Sequence, residues 1–281
     1  MVTVDTRPPS QSALRVAMLR AAHQLLDEPI ILDDPFALQV LGDHISAAVR
    51  EDRYTFNDPI MRTMRAAVIA RSRYAEDMLH AAYARGTRQY VLVGAGLDTF
   101  ALRNPYPDLR VYEMDLVDTQ QWKTDNLRER PRATDYVSCN VNTESLLDAL
   151  DRTSFDRTEP ALFSWLGVTP YVEETSIRGV LRDVSRLAQG TVIVFDYRVA
   201  TEALSPLEQA IEAHAAEIFR QMGEPWVASF TPERLQLLLR DCGLTSVEDL
   251  GTGEINARYY ARRKDGLQSS GGGFRMTCAS V

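Results

Sequence analysis

A chain of 281 residues with 45% hydrophobic and 25% charged residues suits a soluble globular protein, one large α/β domain or two small ones. Its formal net charge of −8 argues against a nucleic-acid partner, because phosphate neutralisation needs a surplus of Lys and Arg on some face. No apolar run approaches the roughly 18 residues a bilayer span requires, residues 1–10 are polar with no apolar signal core, and the expectation is a cytoplasmic protein without a membrane partner.

In chain order, residues 12–26 place Leu14, Ala17, Met18, Ala21, Ala22 and Leu25 at helical spacing, with Ser12 as a candidate cap. Asp33 or Asp34 can cap a short helix that runs to about Leu41, with Pro35 in its first turn. Asp58 and Pro59 open a longer helix over 60–84, which Gly86 ends as the residue beyond the C-cap. Residues 1–86 are thus expected to form a helical N-terminal cover.

At Gln89 the pattern changes. The run 89–93 is short and apolar and meets Gly94, Ala95 and Gly96, the form of a buried parallel strand entering a tight turn and then a helix. Strands over 110–114, 135–139, 161–165, 191–196, 244–249 and 257–262 then alternate with helices over 97–103, 116–130, 143–151, 173–187 and 232–241. This alternation predicts an α/β fold, a mostly parallel seven-stranded sheet with helices on both faces, over a core of residues 87–267. The extra helical segment 204–222 interrupts it and is expected to lie over the ligand crevice as a lid, within an insertion of about 200–228. From Ser269 the chain is Gly-rich and patternless, so residues 268–281 are expected to be a flexible tail.

The turn Gly94–Ala95–Gly96–Leu97–Asp98–Thr99 lacks the third glycine of a dinucleotide fingerprint, which would stand at Thr99. A lone GxG is weak evidence, but the next strand ends in Glu113, Met114 and Asp115. An acid there, about 20 residues after the first glycine, can accept hydrogen bonds from both hydroxyls of a ribose; it can equally cap the next helix. Asn140 and Val141 close the third strand, where an amide and an apolar side chain suit an adenine edge and face. Asp98 at the start of the following helix would repel a pyrophosphate yet tolerate an ammonium group. S-adenosylmethionine (SAM) offers an ammonium, a sulfonium and no phosphate, so the electrostatics favour it over NAD. An NAD-dependent oxidoreductase and a non-catalytic SAM-binding module remain the alternatives.

Several segments together resemble the leucine carboxyl methyltransferase family and the bacterial SAM-dependent O-methyltransferases related to it. They are YVLVGAGLDT over 90–99, VYEMD over 111–115 with Lys123, ARSRYAED over 70–77, FSWLGVTPY over 163–171 and RYYARRKDG over 258–266. The likeness spans about residues 12–267. It implies a Rossmann-like methyltransferase fold with SAM as cofactor. It implies that Arg71 pairs with the SAM carboxylate, that Gly94 and Gly96 contact its methionine part, that Asp115 holds the ribose with Glu113 nearby, and that Asn140 and Val141 sit at the adenine. Without the resemblance, the face bearing Arg62, Arg65, Arg71 and Arg73 could be solvated charge alone. Two positions depart from the family. Asn140 stands where an aspartate is common, and Leu166 stands on the pocket wall where many members carry a glutamate.

Methyl transfer from a sulfonium is an in-line displacement in which positioning and desolvation can supply most of the catalysis. A carboxylate acceptor is already ionised at neutral pH; a phenol or alcohol benefits from a base. No catalytic residue is assigned, since His214, within the lid, reads as a surface histidine. The family resemblance implies O-methylation, often of a carboxyl group, with small aromatic polyketides and protein C-termini among the acceptors. Candidate residues for a small-molecule acceptor are Tyr171, Tyr197, Arg198 and Trp226. Cys139, Cys242 and Cys278 show no metal spacing and read as reduced thiols, and the four histidines form no zinc motif, so no metal is expected. A homodimer is left open.

Overall fold

All five residues of QYVLV are buried, so this strand has no solvent side and must lie inside a sheet covered on both faces. In the computed structural model, which describes residues 9–281, it is the first of seven strands. They are β1 (Gln89–Val93), β2 (Arg110–Asp115), β3 (Thr134–Ser138), β4 (Ala161–Trp165), β5 (Val192–Arg198), β6 (Thr245–Leu250) and β7 (Phe274–Ser280), in the order β3-β2-β1-β4-β5-β7-β6. The first five are parallel, and β7 runs antiparallel to both β5 and β6. Most of the polar opening segment, including the start of the expected helical cover, lies outside the described residues.

The helices are α1 (Gln11–Leu26), α2 (Gly42–Glu51), α3 (Arg53–Phe56), α4 (Pro59–Ala84), α5 (Phe100–Arg103), α6 (Val117–Asn126), α7 (Leu146–Leu150), α8 (Glu174–Val184), α9 (Pro206–Gln221), α10 (Pro232–Asp241) and α11 (Thr252–Tyr259). Side chains alternate across each strand. Tyr112, Met114, Phe163, Trp165, Ile193 and Phe195 therefore pack with α7, α8 and α10 on one face. Tyr90, Leu92, Val111, Leu162 and Val194 pack with α4 and α11 on the other. The outer side of α4 carries α1 through a third apolar cluster that includes Leu19, Ala21, Ala22 and Val68. The fold is Rossmann-like, and its strand order reverses between β1 and β4, which remain parallel. In open α/β sheets such a switch point opens a ligand crevice at the carboxyl ends of the strands.

The local signals explain most boundaries. Asp58 accepts from Ile60 N–H at 2.9 Å and Pro59 sits at the first position of α4, as expected. Ser10 rather than Ser12 caps α1, accepting from Ala13 N–H. Between them, Asp34 caps no helix. Its carboxylate is taken by Arg20 and Thr99, and residues 35–41 form turns and a 3₁₀ segment before α2.

Two expectations are corrected. Residues 257–262, expected as a strand, form the last turn of α11 and the turn that follows it. Tyr-Tyr favours strands in isolation, but burial of Ile255 and a bond from the Tyr260 hydroxyl to the Ala66 carbonyl at 2.6 Å decide for the helix. Residues 274–280, expected in a flexible tail, are β7, with Met276 and Cys278 on one face and Ala279 on the other. Small and polar residues masked its alternation. The approach to it is fixed as well: Arg62 bonds the Asp265 carbonyl at 2.5 Å, and Thr63 bonds the Gln268 carbonyl and the Ser270 hydroxyl. No helix among the described residues is long and apolar enough to cross a membrane.

Candidate active site

The turn after β1 is built for close approach. Gly94 has φ +67°, and a Cβ there would lie 2.4 Å from Cγ2 of Val168 in the loop after β4. At Gly96, a Cβ would meet, among the described residues, only Ala13 of α1, at 3.9 Å. The Gly96 N–H donates to Asp115 at the end of β2 at 2.6 Å, and Leu116 N–H donates to the other carboxylate oxygen at 2.7 Å. Burial pushes the Asp115 pKa up, opposed by these donors and the Thr119 hydroxyl.

Beyond Asp115 stand Leu116 and Val117, 51% and 60% exposed. Val141 is half-buried against the core, and Asn140 is exposed, its side-chain oxygen accepting from Asn142 N–H at 3.0 Å. A carboxylate flanked by uncovered apolar side chains fits a sugar and the base attached to it. Leu116 and Val117 were absent from the sequence expectation. The available signal was two apolar residues directly after a strand-end acid, where a surface helix start is normally polar.

Across the switch point, Arg71 of α4 reaches the ends of β4 and β5. Its Nη1 donates to Asp196 at 3.2 Å, while the other Asp196 oxygen accepts from Gly167 N–H at 2.5 Å. The guanidinium lies against Gly167, where a Cβ would come within 2.7 Å of Nη2. Gly167 and Val168 thus bring Arg71 close to the glycine turn. The neighbouring arginines are not free solvated charge. Arg65 is buried on Asp27, Arg73 pairs with Asp77, and Arg62 holds the Asp265 carbonyl. Leu166 is half-buried on the α4 side. Asp196 escaped the sequence analysis because its role depends on a helix more than a hundred residues away.

Two expected cofactor residues have other partners. Asp98 accepts from Arg20 of α1 at 2.6 Å and from Phe100 N–H at 2.7 Å. Burial pushes its carboxyl up, but Arg20, Arg103 and Lys123 pull it down to about 2. Its charge is already met, so it is not left to face an ammonium. Glu113 is 1% exposed and pairs with Lys123 Nζ at 2.5 Å. Burial raises its pKa despite that cation.

Of the four acceptor candidates, three gather beyond the end of β5. The Arg198 guanidinium lies 3.8 Å from the Trp226 ring centre. Phe219 of α9 stands 4.9 Å from Trp226 and 6.4 Å from Tyr171, centre to centre. Glu212 of α9 lies against Arg198. Tyr197 is not among them: it is 1% exposed on the opposite sheet face, its hydroxyl donating to Asp249 at 3.0 Å. His214 is exposed on α9. Among the described residues no group of three or more His, Cys, Asp or Glu is placed to hold a metal ion.

The sequence pattern of the leucine carboxyl methyltransferase family matches residues 13–185, more than half of the chain. YktD of Bacillus subtilis, named as a SAM-dependent methyltransferase, is 29% identical over 92% of this chain and 94% of its own. A Mycolicibacterium paratuberculosis protein named likewise is 28% identical over 90% of this chain and 78% of its own. In fold, the chain resembles a Thermobifida fusca protein described as a methyltransferase, with TM-score 0.63 at 18% identity over 98% and 96% of the two chains. It also resembles a Streptomyces avermitilis protein of the DUF574 family, with TM-score 0.64 at 17% identity over 97% of each. The chain belongs to the leucine carboxyl methyltransferase family and is a methyltransferase that uses SAM.

Proposed function

We propose that the chain methylates an oxygen of a small-molecule acceptor, a carboxyl group or phenolic hydroxyl of an aromatic secondary metabolite of the polyketide type. The observation that supports this most is the arginine-on-aromatic arrangement of Arg198 with Trp226, Tyr171 and Phe219 beyond the end of β5. A guanidinium orients a carboxylate, and flat ring faces suit a planar acceptor.

SAM supplies an electrophilic methyl carbon on a sulfonium. Arg71, held by Asp196, would take the cofactor's carboxylate, and its Nη1 alone is engaged by a hydrogen bond among the described residues. Asp115 would exchange its bonds to Gly96 and Leu116 for the ribose hydroxyls, with Leu116, Val117, Asn140 and Val141 around the base. Gly94 and Gly96 keep the backbone open to the cofactor's amino-acid end. Arg198 would orient the acceptor, and the aromatic side chains would exclude water from the displacement. A carboxylate acceptor needs no general base, which agrees with His214 standing in solvent.

Calorimetric titration with SAM and S-adenosylhomocysteine tests the cofactor residues. Asp115→Ala and Arg71→Ala are each expected to weaken binding roughly ten- to hundredfold, the value of a hydrogen bond to a charged group. Unchanged affinity in both would sink the assignment. Methyl transfer to a panel of aromatic carboxylates and phenols tests the acceptor class.

A further inference from the structure

The amino-acid end of SAM is a zwitterion. Its carboxylate and its ammonium sit on one carbon, so the group that meets the first must stand beside the partner of the second. Burying either charge unpaired is costly. The carboxylate is assigned to Arg71, but Asp98, the acid expected to face the ammonium, is spent on Arg20. Other acids near the crevice are committed as well. Glu113 pairs with Lys123, Asp115 accepts from Gly96 and Leu116 N–H, and Glu224 caps α1 by accepting from Gln11 N–H at 2.8 Å.

Asp196, buried near the carboxyl end of β5, is placed differently. An arginine and a carboxylate favour a forked pairing with two parallel N–H···O bonds. Arg71 and Asp196 do not form one. Nη1 of Arg71 donates to one oxygen at 3.2 Å, and the other oxygen accepts from Gly167 N–H at 2.5 Å. Among the described residues, each oxygen therefore has a single donor and keeps acceptor capacity, while Nε and Nη2 of Arg71 have no acceptor. Gly167 leaves the pair uncovered, since a Cβ there would come within 2.7 Å of Nη2. A fork would have satisfied both partners and left neither for a ligand. The open pairing offers a cationic edge and an anionic edge side by side, so that a bound zwitterion completes a ring of four alternating charges.

We infer that Asp196 binds the ammonium group of the cofactor's amino-acid end, and that Arg71 and Asp196 act together as one clamp for a zwitterion. The inference rests on the reading of Arg71 as partner of the cofactor's carboxylate and deepens it, because Asp196 then touches the cofactor rather than only holding Arg71. The two roles discriminate between different ligands. An Asp196 that acts through Arg71 alone matters for every ligand with the carboxylate. An Asp196 that meets the ammonium matters only for ligands that carry the ammonium.

Calorimetric titration of the full chain with three ligands separates them: S-adenosylhomocysteine, its desamino analogue with hydrogen in place of the ammonium, and its decarboxylated analogue. The wild type should bind S-adenosylhomocysteine about tenfold or more tightly than the desamino analogue, the value of a hydrogen bond to a charged group. Asp196→Asn should lose about tenfold in affinity for S-adenosylhomocysteine and for the decarboxylated analogue, and keep the wild-type affinity for the desamino analogue. Equal losses for S-adenosylhomocysteine and the desamino analogue, with the decarboxylated analogue unaffected, would assign Asp196 to Arg71 alone and overturn the inference. A wild type that does not distinguish S-adenosylhomocysteine from the desamino analogue overturns it too, whether or not Asp196→Asn folds. Arg71→Gln tests the underlying reading separately: unchanged S-adenosylhomocysteine affinity there would remove the carboxylate's partner, whatever the ammonium comparison gives.

Discussion

Asp98 and Gly167 place opposite demands on their neighbours. Asp98 needs a cation: its folded pKa of about 2 lies below the ordinary 3.8, so it stabilises the fold fully above pH 3.8. That contribution, about 2 kcal/mol, is lost as pH falls from 3.8 through the folded value. Asp98→Asn is therefore expected to cost at least that much at pH 7, and the gap in unfolding free energy to the wild type should narrow steadily below pH 4. A gap independent of pH would show that Arg20 does not set the charge state of Asp98. Gly167 needs the absence of a side chain, since its φ is +71° and Arg71 lies over it. Gly167→Ala should cost about 1–3 kcal/mol of stability and also lower SAM affinity by displacing Arg71. Thermal unfolding and calorimetry separate the two effects, and unchanged SAM affinity would remove Arg71 from the cofactor site. Arg71, Gly94, Gly96 and Asp115 were legible because each has a type and place that recurs in short motifs. Asp196 was not, because its meaning comes from a partner in a distant segment. Asp98 and Glu113 were placed in the right neighbourhood, but no local pattern revealed that Arg20 and Lys123 had already neutralised them.

Among elements, the parallel strands were the most readable. β1 and β4 are short, wholly buried apolar runs bounded by turn residues, a pattern with few other outcomes. β7 and α11 were the least readable. β7 carries Thr277, Cys278 and Ala279 on alternating faces, small side chains that give no hydrophobic contrast, yet all three are buried. A proline there should be decisive. Thr277 pairs with Phe195 on one side and Asp249 on the other, so Thr277→Pro removes a donor in a strand with no free edge. The carbonyl left unpaired costs about 1–3 kcal/mol before any steric strain. Loss of a cooperative thermal transition in circular dichroism is the expected result. A wild-type transition would contradict the position of β7 in the sheet.

Across the whole molecule, α1 links parts that the sequence keeps far apart. Its middle clamps the cofactor turn through Arg20 and Asp98. Its first N–H groups, at Gln11 and Ser12, donate to Glu224 just beyond α9, at 2.8 and 3.2 Å. A carboxylate at a helix N-terminus is well placed against the helix dipole. The glycine turn and the segment that follows α9 are thus held by the same helix.

The insertion of β7 between β5 and β6 also bears on how the protein is made. Synthesis delivers β5 and β6 well before the strand that joins them, so a growing chain holds β5 with an unpaired, almost wholly buried edge. β6 meanwhile has no sheet neighbour. An open apolar edge of this kind templates association between nascent chains. β6 is protected by Glu248, Asp249 and the irregularity between Ser246 and Glu248. β5, which reads VIVFDYR, carries its charges only near its far end. Ribosome-stalled chains released before residue 274 should therefore depend on chaperones for solubility, and completion of β7 should free them from that dependence in a single late step.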